Sequence, residues 1–214
     1  SGTRLSNLRS NFDDGVTVEF WLKKDAFNNT LTEKEVVLDV WNNYTASGTH
    51  YGRLTIELTG ASSVSPFIIT AQSGTRPSGI FTSSIGQDLT TASLTSWSHY
   101  AFSFYNTGSN FVAKLYKDGA LNDTNTYSGN ISELNSKGMM GRIGALLTVP
   151  SGSSSAVAGA GKLSASLDDF RFWKVKRNSQ QINRNWFTTV NGGTNTDISN
   201  TTLGINYKLN EGIT

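Results

Sequence analysis

The segment that most constrains the fold is residues 16–23, VTVEFWLK, in which apolar and polar side chains alternate. The even-numbered positions hold Val, Val, Phe and Leu, and the odd-numbered positions hold Thr, Glu, Trp and Lys. A period of two is typical of a β-strand with one face buried in a core. Because the apolar face must be covered by a second layer, the segment predicts a packed β-structure.

Short segments of the same kind recur along the chain without a fixed repeat. Asp118-Gly119 joins two of them and predicts a tight hairpin turn. Residues 73–96 and 147–161 are rich in Ser, Thr and Gly, and we predict that both are surface loops. About ten short strands separated by turns predict one all-β domain, a two-sheet antiparallel β-sandwich of the jelly-roll type. The further predicted strands are 36–41, 53–58, 97–105, 111–117, 120–127, 139–145, 162–174 and 205–212.

The segment 162–174, KLSASLDDFRFWK, changes the parity of its apolar residues. Leu163 and Leu167 are odd-numbered, whereas Phe170 and Phe172 are even-numbered. A strand keeps one face inward only if an extra residue is inserted where the parity changes. We therefore predict a β-bulge or a sharp twist at Asp168-Asp169.

One short C-terminal helix is predicted after this strand. Asn178 and Ser179 are both suitable N-cap residues. Ile182 and Trp186 are four residues apart, the spacing of one helix face. We expect Trp186 to hold this helix against a sheet.

Composition excludes several classes of function. Among 214 residues, Lys plus Arg number 18 and Asp plus Glu 16, so there is no basic excess to attract nucleic acid. The chain has 0 cysteines, which excludes disulfides and thiolate chemistry. No apolar run is long enough to span a membrane, and the first ten residues lack the apolar core of a signal peptide. The 5 Trp, 7 Tyr and 11 Phe provide bulky groups for a core.

Catalytic motifs are missing from the sequence. Retaining glycosidases need two carboxylates about 5 Å apart, and no strand carries a pattern such as E-x-D-x-x-E. There is no G-x-S-x-G motif, and of the two histidines His99 is expected to be a hydrogen-bonded strand residue. We predict that the chain is not an enzyme.

A sugar site needs an exposed aromatic ring beside polar groups, because the ring covers the apolar face of a pyranose. The best sequence candidate lies at the end of the strand 36–41 and in the loop that follows it, since rim loops often carry function. The alternative is a plain strand end followed by a turn. The candidate residues are Trp41, Asn42, Asn43, Tyr44, His50 and Tyr51.

Five segments, in the right order, resemble the laminin-G-like group of concanavalin A-like jelly rolls. Together they extend over residues 3 to about 190, so we predict a laminin-G-like domain at 1–190. Residues 191–214 resemble a tail in large structural proteins of marine tailed bacteriophages, which implies an extension or linker toward a further domain. The five segments are VTVEFWLKKD, WSHYAF (97–102), LYKDG (115–119), GRIG (141–144) and LDDFRFW (167–173), with QQI (180–182) matching the helix that follows.

The resemblance implies a non-catalytic binding or adhesion module that binds carbohydrate, within a virion fibre, tail or capsid protein of a phage. Its partners would be a glycan or host-surface polysaccharide and other virion structural proteins, with no nucleic acid and no membrane. The location implied is a virion assembled in the bacterial cytoplasm, a reducing compartment that suits a chain without cysteine. The alternative is a bacterial cell surface or secretion. Other functional hypotheses are a purely structural decoration module and, less favoured, a divergent glycan hydrolase.

Calcium is the one cofactor that the resemblance implies. Asp168 and Asp169 lie where the family places an acidic ligand of a structural calcium, and Asp13 and Asp14 precede the first strand. Carboxylate oxygens are the ligands that Ca²⁺ prefers. The alternative is that Asp168 and Asp169 only stabilise the bulge and pair with nearby basic side chains.

Overall fold

The computed structural model describes residues 7–27, 35–44, 49–60, 62–74, 80–135, 138–147, 161–190 and 202–209. In these ranges the chain forms two antiparallel sheets and one α-helix, α1 (Ser179–Asn185). The strands are β1 Val16–Lys23, β2 Glu35–Trp41, β3 Gly52–Leu58, β4 Phe67–Ser73, β5 Ile80–Ile85, β6 Ser98–Thr107, β7 Asn110–Lys117, β8 Ala120–Ser128, β9 Met140–Ile143, β10 Ser166–Trp173 and β11 Leu203–Tyr207.

The six-stranded sheet has the order β11-β10-β1-β6-β7-β8, and the five-stranded sheet has the order β5-β4-β3-β2-β9. The predicted all-β, two-sheet sandwich with one short helix is therefore confirmed. None of the described helices is long and apolar enough to cross a membrane.

Aromatic side chains form the centre of the core between the two sheets. The Phe20 ring lies 5.9 Å from that of Phe102 and 6.3 Å from that of Phe170, measured between centroids. Phe67 of the opposite sheet lies 5.1 Å from Phe102. The prediction that the even-numbered face of β1 is buried is confirmed, because Val16, Val18, Phe20 and Leu22 are each 0% exposed.

The predicted bulge in β10 is also confirmed. Trp21 pairs with Asp168 and Glu19 pairs with Arg171, so β10 carries one more residue than β1 between these pairs. Asp169 lies within this bulge and has a φ of 47°, in the left-handed region. Asp168 and Asp169, on either side of the register shift, line the same surface groove.

The structure confirms the predicted hairpin turn between β7 and β8 and the predicted N-cap of α1. Asp118 and Gly119 have φ angles of 48° and 81°, as a two-residue hairpin turn requires. Asn178 is the N-cap of α1: its side chain accepts from the Gln181 N–H, and the Gln181 side chain accepts from the Asn178 N–H, both at 2.9 Å. Trp186 packs over the hairpin turn, where a Cβ on Gly119 would lie 2.3 Å from its Cδ1.

The prediction of a loop over residues 73–96 was wrong. This stretch contains β5 and a short 3-10 helix, Thr91–Thr95. β5 is an edge strand whose Thr82 and Ser84 side chains are exposed, so its sequence lacks a clear apolar alternation. Most of the second predicted loop, residues 148–160, lies outside the described residues, as does most of the proposed C-terminal extension.

Candidate functional site

An open groove of about 410 Å³ lies on the outer face of the six-stranded sheet, beside the bulge of β10. We call it the aromatic groove. Trp97 and Phe187 in its walls are 46% and 64% exposed, so the groove presents two large apolar rings to solvent. Its lining residues are Trp21, Trp97, Asp168, Asp169, Phe187, Thr188, Thr189 and Lys208.

Several elements bring these side chains together. Trp21 occupies an odd position of β1 and therefore faces outward, and the bulge places Asp168 directly opposite it. Trp97 precedes β6, and Phe187 follows the C-terminal end of α1. The groove therefore exists only when the helix lies on the outer face of the sheet.

Arg171 braces the two walls of the aromatic groove. Its guanidinium donates hydrogen bonds to the Asp169 carboxylate on one wall and to the backbone oxygens of Asn185 and Thr188 on the other. The Arg171 side chain is only 1% exposed, so the brace is shielded from water. The charge of Asp169 is therefore already neutralised by Arg171. Pairing with a nearby basic side chain was the alternative to calcium binding in the sequence analysis.

A buried ionic cluster supports the floor beneath the groove. Glu19 is 0% exposed and accepts from Arg177 Nη1 at 2.5 Å, while Arg171 Nη1 lies 3.5 Å from its second oxygen. Two guanidinium groups thus share one buried carboxylate. Such a shared, shielded charge is a structural support, because no ligand can reach Glu19.

His99 lies beside this cluster and is 1% exposed. Burial, reinforced by the charges of Arg171 and Arg177, lowers the pKa of His99 to about 3. The imidazole is therefore neutral at physiological pH. The expected hydrogen bonding holds for its backbone N–H, which donates to Asp118 at 2.8 Å. It does not hold for the ring: Nε2 lies 3.9 Å from a Glu19 carboxylate oxygen, and neither ring nitrogen has a hydrogen-bond partner among the described residues.

Two of the predicted ligand-binding residues at the rim are buried and hydrogen-bonded within the protein. Asn42 is 0% exposed, and its amide donates to the backbone oxygens of His50 (2.6 Å) and Glu133 (2.8 Å). Tyr51 is 2% exposed, and its hydroxyl accepts from Arg53 Nη1 at 3.3 Å. The buried amide fixes the loop between β2 and β3, and neither side chain presents itself to a ligand.

The other rim candidates do form one surface patch. Trp41 Nε1 donates to the Tyr44 backbone oxygen at 2.9 Å, and the Tyr44 ring lies 5.5 Å from that of His50. The His50 side chain is 65% exposed, and its Nδ1 lies 3.5 Å from a Glu133 carboxylate oxygen. Asn43 is an exposed turn residue with a φ of 61°. A ligand-binding role for this patch stays a prediction.

The four predicted calcium ligands fall at opposite ends of β1. Asp13 and Asp14 precede the strand, whereas Asp168 lies opposite Trp21, about 20 Å away at about 3.3 Å per residue. Asp13 accepts from Asn106 at 2.8 Å. The two pairs cannot bind the same ion, and the described residues contain no group of three or more His, Cys, Asp or Glu that could hold a metal. A calcium site at either pair stays a prediction.

Comparison with known protein families identifies the fold. The model of the concanavalin A-like lectin/glucanases superfamily, in its laminin-G-like group, matches residues 1–183. The chain belongs to this family. No curated protein matches the chain.

Solved structures share the concanavalin A-like fold at low identity. A Bacteroides ovatus protein provisionally described as carbohydrate binding is 16% identical, with a TM-score of 0.54 over 94% of this chain and 47% of that chain. The enzymatically active domain of tailspike protein 2 from bacteriophage CBA120 is 12% identical, with a TM-score of 0.54 over 96% of this chain and 28% of that chain. At these identities only the fold is shared, and the chain spans less than half of each.

The sequence did not point to the aromatic groove as a ligand site. Trp186 was expected to hold the helix against a sheet, and Asp168 and Asp169 were expected to be metal ligands or bulge stabilisers. The one available signal was the parity change at Asp168-Asp169, because bulges often lie next to functional sites.

Proposed function

We propose that this concanavalin A-like domain is a non-catalytic module that binds carbohydrate in the aromatic groove. The observation that supports the proposal is the pair of exposed rings, Trp97 and Phe187, beside the Asp168 carboxylate. The rings cover the apolar face of a sugar, and the polar groups hydrogen-bond its hydroxyls. The groove's volume of about 410 Å³ is within the size range of known ligand sites.

The carboxylates of the groove argue for binding rather than hydrolysis. A glycosidase needs one carboxyl group as acid and a second as nucleophile or base, on either side of the scissile bond. Here Asp169 is held in an ion pair with Arg171, so among the described lining residues only Asp168 offers an unpaired carboxylate. Release of sugar from a laminarin- or alginate-type polysaccharide would contradict this part of the proposal.

Replacing Trp97 with alanine is expected to weaken glycan binding at least tenfold, because exposed aromatic residues are typical binding hot spots. A glycan array would identify a ligand, and calorimetry would then compare the variants. Trp41→Ala is the matched control, since it removes the indole of the rim patch instead. If Trp41→Ala abolishes binding and Trp97→Ala does not, the site is the rim patch. If the protein binds no glycan, the alternative of a purely structural module is favoured.

We propose further that the module belongs to a larger phage virion protein and that its glycan partner lies on the host surface. The shared fold of a phage tailspike domain supports this context. Mass spectrometry of purified phage particles from the source should detect peptides of this chain together with other virion proteins. Detection only in the cell envelope or the secreted fraction would contradict a virion location.

A further inference from the structure

A second cavity of about 290 Å³ adjoins the aromatic groove, and Thr188 and Thr189 line both. We call it the arginine cavity. Its walls include Arg171, Arg177 and Trp173, together with the amides of Gln181 and Asn185. In the described part of the chain, none of its lining residues is Asp or Glu.

Unused hydrogen-bond donors lie in the wall of the arginine cavity. Trp173 is 4% exposed, yet its indole Nε1–H has no hydrogen-bond partner among the residues that the structure describes. A buried donor without a partner costs about 1–3 kcal/mol, so such groups are rare in native proteins and call for an explanation. A bound acceptor atom would remove this cost.

Arg177 stacks on the same indole, with its Cζ 4.4 Å from the Trp173 ring centroid. Its Nη1 donates to Glu19 and its Nη2 donates to the Gln181 backbone oxygen. A guanidinium carries five N–H groups, so these two bonds leave further donors for a ligand. The cavity therefore offers donors from a planar cation and from an indole, a combination suited to a planar or tetrahedral oxyanion.

We infer that the arginine cavity binds the anionic group of an acidic saccharide, a carboxylate or a sulfate ester, while a sugar ring of the same molecule lies in the aromatic groove. The inference rests on the proposed function, because the two cavities are joined along Thr188 and Thr189. Glu19 and Asp169 already balance the two guanidinium charges. Recognition thus depends on directed hydrogen bonds, and binding should fall only modestly as salt is raised.

Calorimetry with three oligosaccharide probes tests the inference: neutral laminarin, carboxylate-bearing alginate and sulfated carrageenan. The wild type should bind one of the acidic probes at least tenfold more tightly than laminarin. Trp173→Phe keeps a ring under Arg177 but removes the free donor, and it should weaken binding of the acidic probe about threefold to tenfold. Arg177→Gln should weaken it by at least tenfold. Affinity for the neutral probe should not change in Trp173→Phe.

Lys114→Gln is the charge-matched control, because Lys114 lies on β7 of the same sheet, well away from β10. It should leave all affinities unchanged. Arg177 also neutralises a buried carboxylate, so the Arg177→Gln result counts only if this variant melts at the wild-type temperature. Otherwise the Trp173→Phe variant, checked by the same melting measurement, decides. Unchanged binding of the acidic probes in Trp173→Phe overturns the inference. The proposed function still stands in that case if laminarin binds the wild type and binds Trp97→Ala more weakly. If none of the three probes binds, the inference falls, and the glycan array alone decides the proposed function.

Discussion

Replacing Arg53 with methionine is expected to lower the free energy of unfolding by about 3–5 kcal/mol. Arg53 is 2% exposed on β3, and its guanidinium holds both oxygens of Asp39 on β2, with Nε 2.8 Å from Oδ1. Asp39 is 0% exposed, so the variant would leave a carboxylate buried without its counter-charge. Urea unfolding followed by tryptophan fluorescence would measure the loss.

The double variant Asp39→Val, Arg53→Met provides the matched control. Replacing both members of a buried pair by apolar residues is often nearly neutral, so most of the lost stability should return. The recovery will be incomplete, because the Leu147 backbone N–H donates to Asp39 at 2.8 Å and would lose its acceptor. A single variant that loses less than about 1 kcal/mol would show that water reaches the carboxylate.

Features that depend on neighbouring residues in the sequence were predictable. The alternation in β1, the Asp118-Gly119 turn and the bulge at Asp168-Asp169 all follow from side-chain parity or from local backbone preference. Asn178 was one of two candidate caps, and the structure selects it because Gln181 completes the reciprocal pair of hydrogen bonds. These elements were enough to predict a two-sheet sandwich.

The candidate site depends on contacts between residues far apart in the chain, which a single sequence does not contain. Asn42 looked like a ligand-binding amide, but one of its hydrogen bonds goes to Glu133, 91 residues away. Trp97 and Phe187 become neighbours only after α1 has packed on the outer face of the sheet. Their exposure, which distinguishes them from the buried rings of the core, is a property of the tertiary structure alone.

Acidification is expected to destabilise this fold through His99, beyond the usual effect of protonating carboxylates. The pKa of His99 is about 3 in the folded protein and about 6.5 in the unfolded chain. Between these values the unfolded chain binds a proton that the native state excludes, so the free energy of unfolding falls as pH falls. The contribution is fully present above pH 6.5 and is lost at about 1.4 kcal/mol per pH unit below it.

Urea unfolding at pH steps from 7 to 4 would measure this effect in wild type and in His99→Phe. The phenylalanine keeps a ring beside Trp21 and Trp186, whose ring centroids lie 5.7 and 6.1 Å from that of His99. Because it cannot take up a proton, this variant should lose about 3 kcal/mol less than wild type over that range. His50→Gln is the control, since the exposed His50 side chain is far from the cluster of Glu19, and it should follow the wild-type curve. If the free energy of unfolding falls equally with pH in wild type and in His99→Phe, the His99 imidazole takes up a proton in the folded protein. The buried cluster around Glu19 would then be open to water.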